Sequence, residues 1–192
     1  MSFESGKNLA GVGALLLVIG SFVPFVSIIG IILFYIGLKN LGQHYNDPSI
    51  FKDALFALIF GIIGAIAVGL SLASLIFGVA IIPITAGTGF LGFSALAVIG
   101  FVVAFVFYIL MAIYFRKSFD ALANRSGVGL LRTAGLLLLI GAVLTIVFVG
   151  LILIFVAWIL VTVAIFQIPM TPAQTYQAPT YQAPPPQSPP MS

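Results

Sequence analysis

The sequence predicts an all-α polytopic transmembrane helix bundle followed by a disordered, Pro-rich C-terminal tail. Three observations predict it. Of the 192 residues, 62% are hydrophobic, against roughly 45–50% in an ordinary soluble domain. Only seven Lys or Arg and four Asp or Glu are present, too few to coat a water-facing surface. Four apolar blocks, at 9–38, 54–84, 90–115 and 130–168, each exceed the roughly 20 residues of a helical crossing. A soluble globular domain and a wholly disordered chain are thereby excluded. Cysteine is absent, which removes disulfides, thiolate metal sites and cysteine nucleophiles from consideration.

Block one, Leu9–Leu38, is too long for a signal-peptide core of roughly 7–15 residues, and only Lys7 flanks it. Pro24 lies near its middle. A proline in a helix interior removes a hydrogen bond and clashes with the preceding turn, so a turn is predicted there. Block one then makes two short spans, tilted or only partly inserted; a single kinked helix is the other reading.

The most polar stretch, Gln43–Asp53, follows. Asp47 before Pro48 predicts a helix start, because the carboxylate caps free amides and proline suits the first helical position. One histidine, His44, and one nearby carboxylate make a poor metal site, so a solvated loop and cap is expected and no metal. Block two carries Gly61, Ala65, Gly69 and Ala73 at a spacing of four, and block three repeats that spacing at Gly100 and Ala104. Small residues on one face let helices approach closely. Packing within the chain is the first reading of this stripe, and a homo-oligomer interface the second.

The connector between blocks two and three, 83–89, is uncharged. The stretch 116–125 mixes apolar residues with Arg116, Lys117, Asp120 and Arg125 and suits an interfacial helix. Its basic side chains attract anionic headgroups by about 1 kcal/mol each near the surface. Ser126 is placed to cap the next helix, and Arg132, one or two turns inside it, to reach back to the headgroups. Block four would be about 58 Å long as one helix, nearly twice a hydrocarbon core of roughly 30 Å. It is predicted to fold back near Thr145–Gly150.

Charge placement tests the count of spans. If each block crossed once, the two basic connectors, with Lys39 and Lys52 and with Arg116, Lys117, Arg125 and Arg132, would both lie outside. That opposes the gathering of Lys and Arg on the cytoplasmic side. With blocks one and four folded as hairpins the chain has six spans, and every Lys and Arg falls on one side with both termini. The expectation is a multi-pass protein of the cell membrane with both termini cytoplasmic and with Thr88 and Thr145 on the opposite side. A shift of 121 residues supports the paired hairpins: it lays Ser5-Gly6 on Ser126-Gly127, Leu9 on Leu130 and Gly20 on Gly141. Both copies run the same way, so the repeat is parallel and not the inverted kind found in many transporters. After Pro169 the motif Thr-Tyr-Gln-Ala-Pro occurs twice, followed by further prolines. Residues 1–168 are thus read as the transmembrane domain and 169–192 as a disordered tail with polyproline character.

No Asp, Glu, Lys, Arg or His lies between Lys7 and Lys39, between Asp53 and Arg116, or after Arg132. Ionisable residues within the bilayer mark proton relays and ion coupling, so a proton-coupled transporter is disfavoured. A catalytic acid or base would have to come from Glu4, His44, Asp47, Asp53 or Asp120, and no nucleophile triad is indicated. No enzyme activity, cofactor or nucleic-acid partner is expected. The expected partners are the lipid bilayer and either a second copy or another membrane protein. The function expected first is a non-enzymatic scaffold or accessory subunit. The second is a channel or facilitator for a neutral or lipidic solute, lined by Ser71, Ser74, Thr85, Thr88, Ser94 and Tyr108. An enzyme working at the cytoplasmic interface is third.

The segments Ser5-Gly6-Lys7-Asn8-Leu9-Ala10-Gly11, His44-Tyr45-Asn46-Asp47-Pro48-Ser49-Ile50-Phe51 and Ser126-Gly127-Val128-Gly129-Leu130-Leu131-Arg132-Thr133-Ala134-Gly135 resemble a family of small, largely archaeal membrane proteins catalogued as domain of unknown function 996. The likeness runs over about residues 3–168, outside the tail. It implies an integral membrane location. It carries no established activity and so transfers no functional residues.

Overall fold

The structure is a computed structural model that describes residues 3–80 and 88–169. Among the described residues are six α-helices: α1 (Phe3–Gly20), α2 (Pro24–His44), α3 (Pro48–Ala80), α4 (Thr88–Ser126), α5 (Gly129–Leu144) and α6 (Val149–Phe166). They form three antiparallel hairpins, α1–α2, α3–α4 and α5–α6. Each helix packs on its neighbours in sequence, and α6 packs on α1, so the six close into a ring. Five of them, all but α1, are long and apolar enough to cross a membrane by length and composition. The tail beyond Pro169 and the connector 81–87, with Thr85, lie outside the described residues.

Both hairpin turns fall where the sequence places them. Block one breaks after Gly20, and Pro24 opens α2, where its missing amide costs nothing and its fixed φ suits the first turn. Block four breaks at a 3₁₀ turn, Thr145–Val147, and Phe148 then takes a left-handed conformation with φ 59°. Asp47 opens α3 as expected: its carboxylate accepts the Ser49 amide at 3.1 Å, one residue past Pro48. Ser126 does not cap α5 directly. Its hydroxyl donates to the Leu122 carbonyl at 2.8 Å and accepts the Val128 amide at 3.3 Å, bracing the turn instead.

The stretch 116–125 is not a separate interfacial helix. It is the continuation of α4, which runs unbroken to Ser126. The reason is its apolar face: Phe115, Ser118, Phe119, Leu122 and Ser126 are all buried, and their three-and-four spacing keeps one helical stripe against the bundle.

The hairpins differ in length. α1, α2, α5 and α6 have 18, 21, 16 and 18 residues, whereas α3 has 33 and α4 has 39. All the charged turns lie at one end, so the extra length of α3–α4 projects past the opposite ends of the short hairpins. The core sits at the charged end, where all six helices meet. Its centre is Phe34 of α2, fully buried, with ring centroids of Phe119 at 6.3 Å and Trp158 at 5.5 Å. Phe115 and Phe119 stack at 5.7 Å. α1 and α2 approach closely enough that a Cβ on Gly37 would meet the Ala10 backbone, and one on Gly13 the Phe34 backbone.

The seam between α3 and α4 repeats every seven residues. Ile50, Ala57, Gly64, Ser71 and Gly78 are buried along α3, the pattern of left-handed supercoiled pairs.

Candidate functional site

The polar chemistry of the described residues gathers at the charged end of the bundle. Arg125, in the last turn of α4, points its Nε at Asp47 Oδ2, 2.9 Å away, and ties the α2–α3 turn to α4. The Asp47 carboxylate also accepts the Ser49 hydroxyl. These hydrogen bonds, first from Ser49 and then from Arg125, hold the carboxyl below its usual range. One turn higher, Asp120 lies between Arg116 Nε at 3.7 Å and Arg132 Nε at 3.9 Å. Arg132 also donates to Asn124 Oδ1 at 2.6 Å, fastening α5 to α4. Lys7 of α1 donates to the Ile168 carbonyl past the end of α6, at 2.7 Å. Buried, the Ser118 hydroxyl donates to the Ile50 carbonyl at 2.6 Å. Apart from Arg116–Asp120, which lies within α4, these charged contacts join one element to another.

Lys39, Lys52 and Lys117 are exposed and make no ion pair among the described residues; Lys117 lies 4.9 Å from the centre of the Tyr114 ring. They form an outward-facing basic fringe around the clasped pairs. His44 packs on Phe3, with ring centroids 4.5 Å apart and planes tilted by 44°, and no cluster of metal-ligating side chains occurs among the described residues. Tyr45 is buried in the same turn, and burial pushes its phenol up.

Asp47 makes this end sensitive to acid. A carboxyl with a lowered folded pKa contributes stability above its ordinary value, 3.8, and loses that contribution as pH falls through the lowered value. Thermal unfolding in detergent should therefore drop in acid more steeply for the wild type than for Asp47→Asn. Because the Arg125 side chain is 53% exposed, the pair is worth at most about 1 kcal/mol, and Arg125→Ala should lower stability at neutral pH by no more than that.

The small-residue stripe divides. Gly61 faces Met111, whose sulfur would lie 2.8 Å from an added Cβ, and Gly100 faces Ser71. Ala104 is buried in the seam, and Ala73 is half-buried beside it. Ala65 and Gly69 are exposed, and a Cβ on Gly69 would meet nothing within 4 Å. A spacing of four advances about 40° around a helix at each step, so four such positions sweep away from a seam that repeats every seven. Gly64, which the seam does use, belongs to no spacing-of-four series with the others.

Three serine hydroxyls along α3 and α4 turn onto their own helices: Ser71 donates to Ala67, Ser74 to Ser71 and Ser94 to Leu91. A groove of about 850 Å³ lies between α3–α4 and the tip of α5–α6, with Gly61, Ala65, Phe105, Tyr108, Thr145 and Ile146 on its walls. Its lining is almost wholly apolar. Thr145 turns its hydroxyl to the Gly141 carbonyl at 2.8 Å.

A protein of the archaeon Methanocaldococcus jannaschii, uncharacterized protein MJ1644, is 32% identical over 174 residues, covering 88% of this chain and 94% of the relative. No solved structure matches. The model of the family described as protein of unknown function (DUF996) matches residues 26–159, from the first turn of α2 into the aromatic core at Trp158. With that match and that relative, the chain belongs to the DUF996 family.

Proposed function

We propose that the protein is a non-enzymatic structural component of the cell membrane, a scaffold or accessory subunit whose charged end faces the cytoplasm. The observation that carries this reading is how the charged side chains are used. Asp47–Arg125 and Asp120–Arg132 tie neighbouring elements together at the rim, with Arg116 on Asp120 within α4. Lys39, Lys52 and Lys117 point outward, where they suit anionic headgroups or an acidic partner surface. Cysteine labelling tests the orientation cleanly, because the chain has no cysteine of its own. An impermeant maleimide should reach Lys39→Cys only from the cytoplasmic side and Thr88→Cys only from the opposite side. Recovery of the protein alone after mild-detergent extraction from its native membrane would count against an accessory subunit.

A facilitator for a lipidic solute is the second reading, favoured by the apolar groove beside Tyr108. Proteoliposomes separate the two. The scaffold reading expects no solute flux above protein-free vesicles, and robust, selective flux would replace it with the facilitator.

A further inference from the structure

The charged rim and the three hairpin tips measure depth along the bundle. From Lys52 to Ala80, and from Thr88 to Arg116, the central hairpin rises about 42 Å at 1.5 Å per residue. From Lys7 to Gly20, Pro24 to Lys39, Arg132 to Leu144 and Val149 to Phe166, the flanking helices rise only about 18–26 Å. A hydrocarbon core is roughly 30 Å thick. If the short hairpins crossed it, the end of α3–α4 would stand in water with Ile76 69% and Leu91 68% exposed and no charge on either helix near them. Their apolar area places that end in lipid, which leaves the short tips inside the bilayer.

The short tips are built for that depth. Phe22 and Phe148 stand at their apices, 78% and 77% exposed, in turns where water would favour Gly, Asn or Asp. Phe148 even occupies the left-handed backbone region usually left to glycine. Backbone amides in lipid must be paired within the chain. The amides of Ser21, Phe22, Val23 and Val26 bond to carbonyls of the same turn, and Pro24 has none to pair. At the other tip the Phe148 amide reaches Thr145 and the Leu151 amide reaches Phe148. The Ser21 and Thr145 hydroxyls turn back onto their own helices. The turns at the charged end, Tyr45-Asn46-Asp47 and Ser126-Gly127-Val128, are polar by contrast.

We propose that α1–α2 and α5–α6 are re-entrant hairpins that enter from the charged side and turn back within the bilayer, so that only α3–α4 crosses it. Six helices then occupy one leaflet and two the other. The bundle is a wedge, and the lipid surface it fits is one curved convexly toward the charged end. This rests on the charged end lying in headgroups, as proposed above, but not on the scaffold role.

Nitroxide labels on the intact chain test it, at Phe22→Cys and Ile146→Cys with Lys117→Cys as the aqueous reference, in phosphatidylcholine–phosphatidylglycerol vesicles. All three sites are exposed, so the labels leave the packing intact. The two tip labels should meet oxygen readily and a water-soluble nickel relaxant hardly at all, whereas the reference meets the nickel compound several-fold more. Impermeant maleimide should label neither tip cysteine from either side. Molecules with the charged end outward should be several-fold denser on small vesicles than on large ones. Tip labels as open to nickel as the reference, tip cysteines reached from the far side, or equal density on small and large vesicles would each overturn the proposal. Labelling of Lys39→Cys from the wrong side would overturn the orientation instead.

Discussion

Gly37→Leu should prevent α1 and α2 from closing and lower stability by about 3 kcal/mol or more, the upper range for overpacking a close-packed site. A Cβ at position 37 meets the Ala10 backbone, and backbone, unlike the end of a flexible side chain, cannot swing aside. The hairpin would have to open along its length, exposing the Gly13–Phe34 contact and loosening α1 from α6. Thermal unfolding in detergent measures the loss, and limited proteolysis near the 20–24 turn locates it. Gly69→Ala is the matched control. Its Cβ has open space around it, and alanine favours a helix over glycine by about 1 kcal/mol, so stability should hold or rise. Equal losses from the two substitutions would contradict the packing of α1 on α2.

Phe34→Ala should cost about 3 kcal/mol, the lower end of the range for large-to-alanine aromatic truncations. The lower end applies because the surroundings of an open bundle in a membrane are as apolar as its core, so the transfer part of the penalty is small. What remains is lost packing: Phe34 is fully buried and touches Tyr35, Phe115, Phe119 and Trp158. It is the side chain that joins α2, α4 and α6 across the ring. Near-ultraviolet circular dichroism should lose the Trp158 signal in parallel with the fall in unfolding temperature, whereas truncating the exposed Phe77 should leave both unchanged.

The hairpins were legible in the sequence because each has a local cause. Pro24 cannot sit inside block one, block four is too long to be one helix, and the basic residues share a face only if both blocks fold back. Asp47-Pro48 marked the start of α3 for the same local reason. The seam was not legible. In a chain that is 62% hydrophobic, glycine and alanine recur at several spacings, and the four-residue series through Ala65 and Gly69 is as regular as the seven-residue series through Ala57, Gly64 and Ser71. Only the partner helix decides between them. Phe34, Phe115, Phe119 and Trp158 were invisible as a core for a related reason: apolar residues surrounded by apolar residues carry no amphipathic contrast. The clasp around Asp120 needed α4 to run straight through 116–125, and the charges there, read alone, suit a helix lying flat on the surface equally well.

The contact between α1 and α6 sets the order of assembly. Lys7 reaches the carbonyl of Ile168, and Gly11 lies against the Phe166 ring, so α1 completes its packing only against α6, which is made after the other five. Chain segments made early fold early where their contacts are local, and each hairpin can pair as it emerges. The circle itself stays broken until translation has passed residue 168. Until then one flank of the opening hairpin stands bare where the sixth helix belongs.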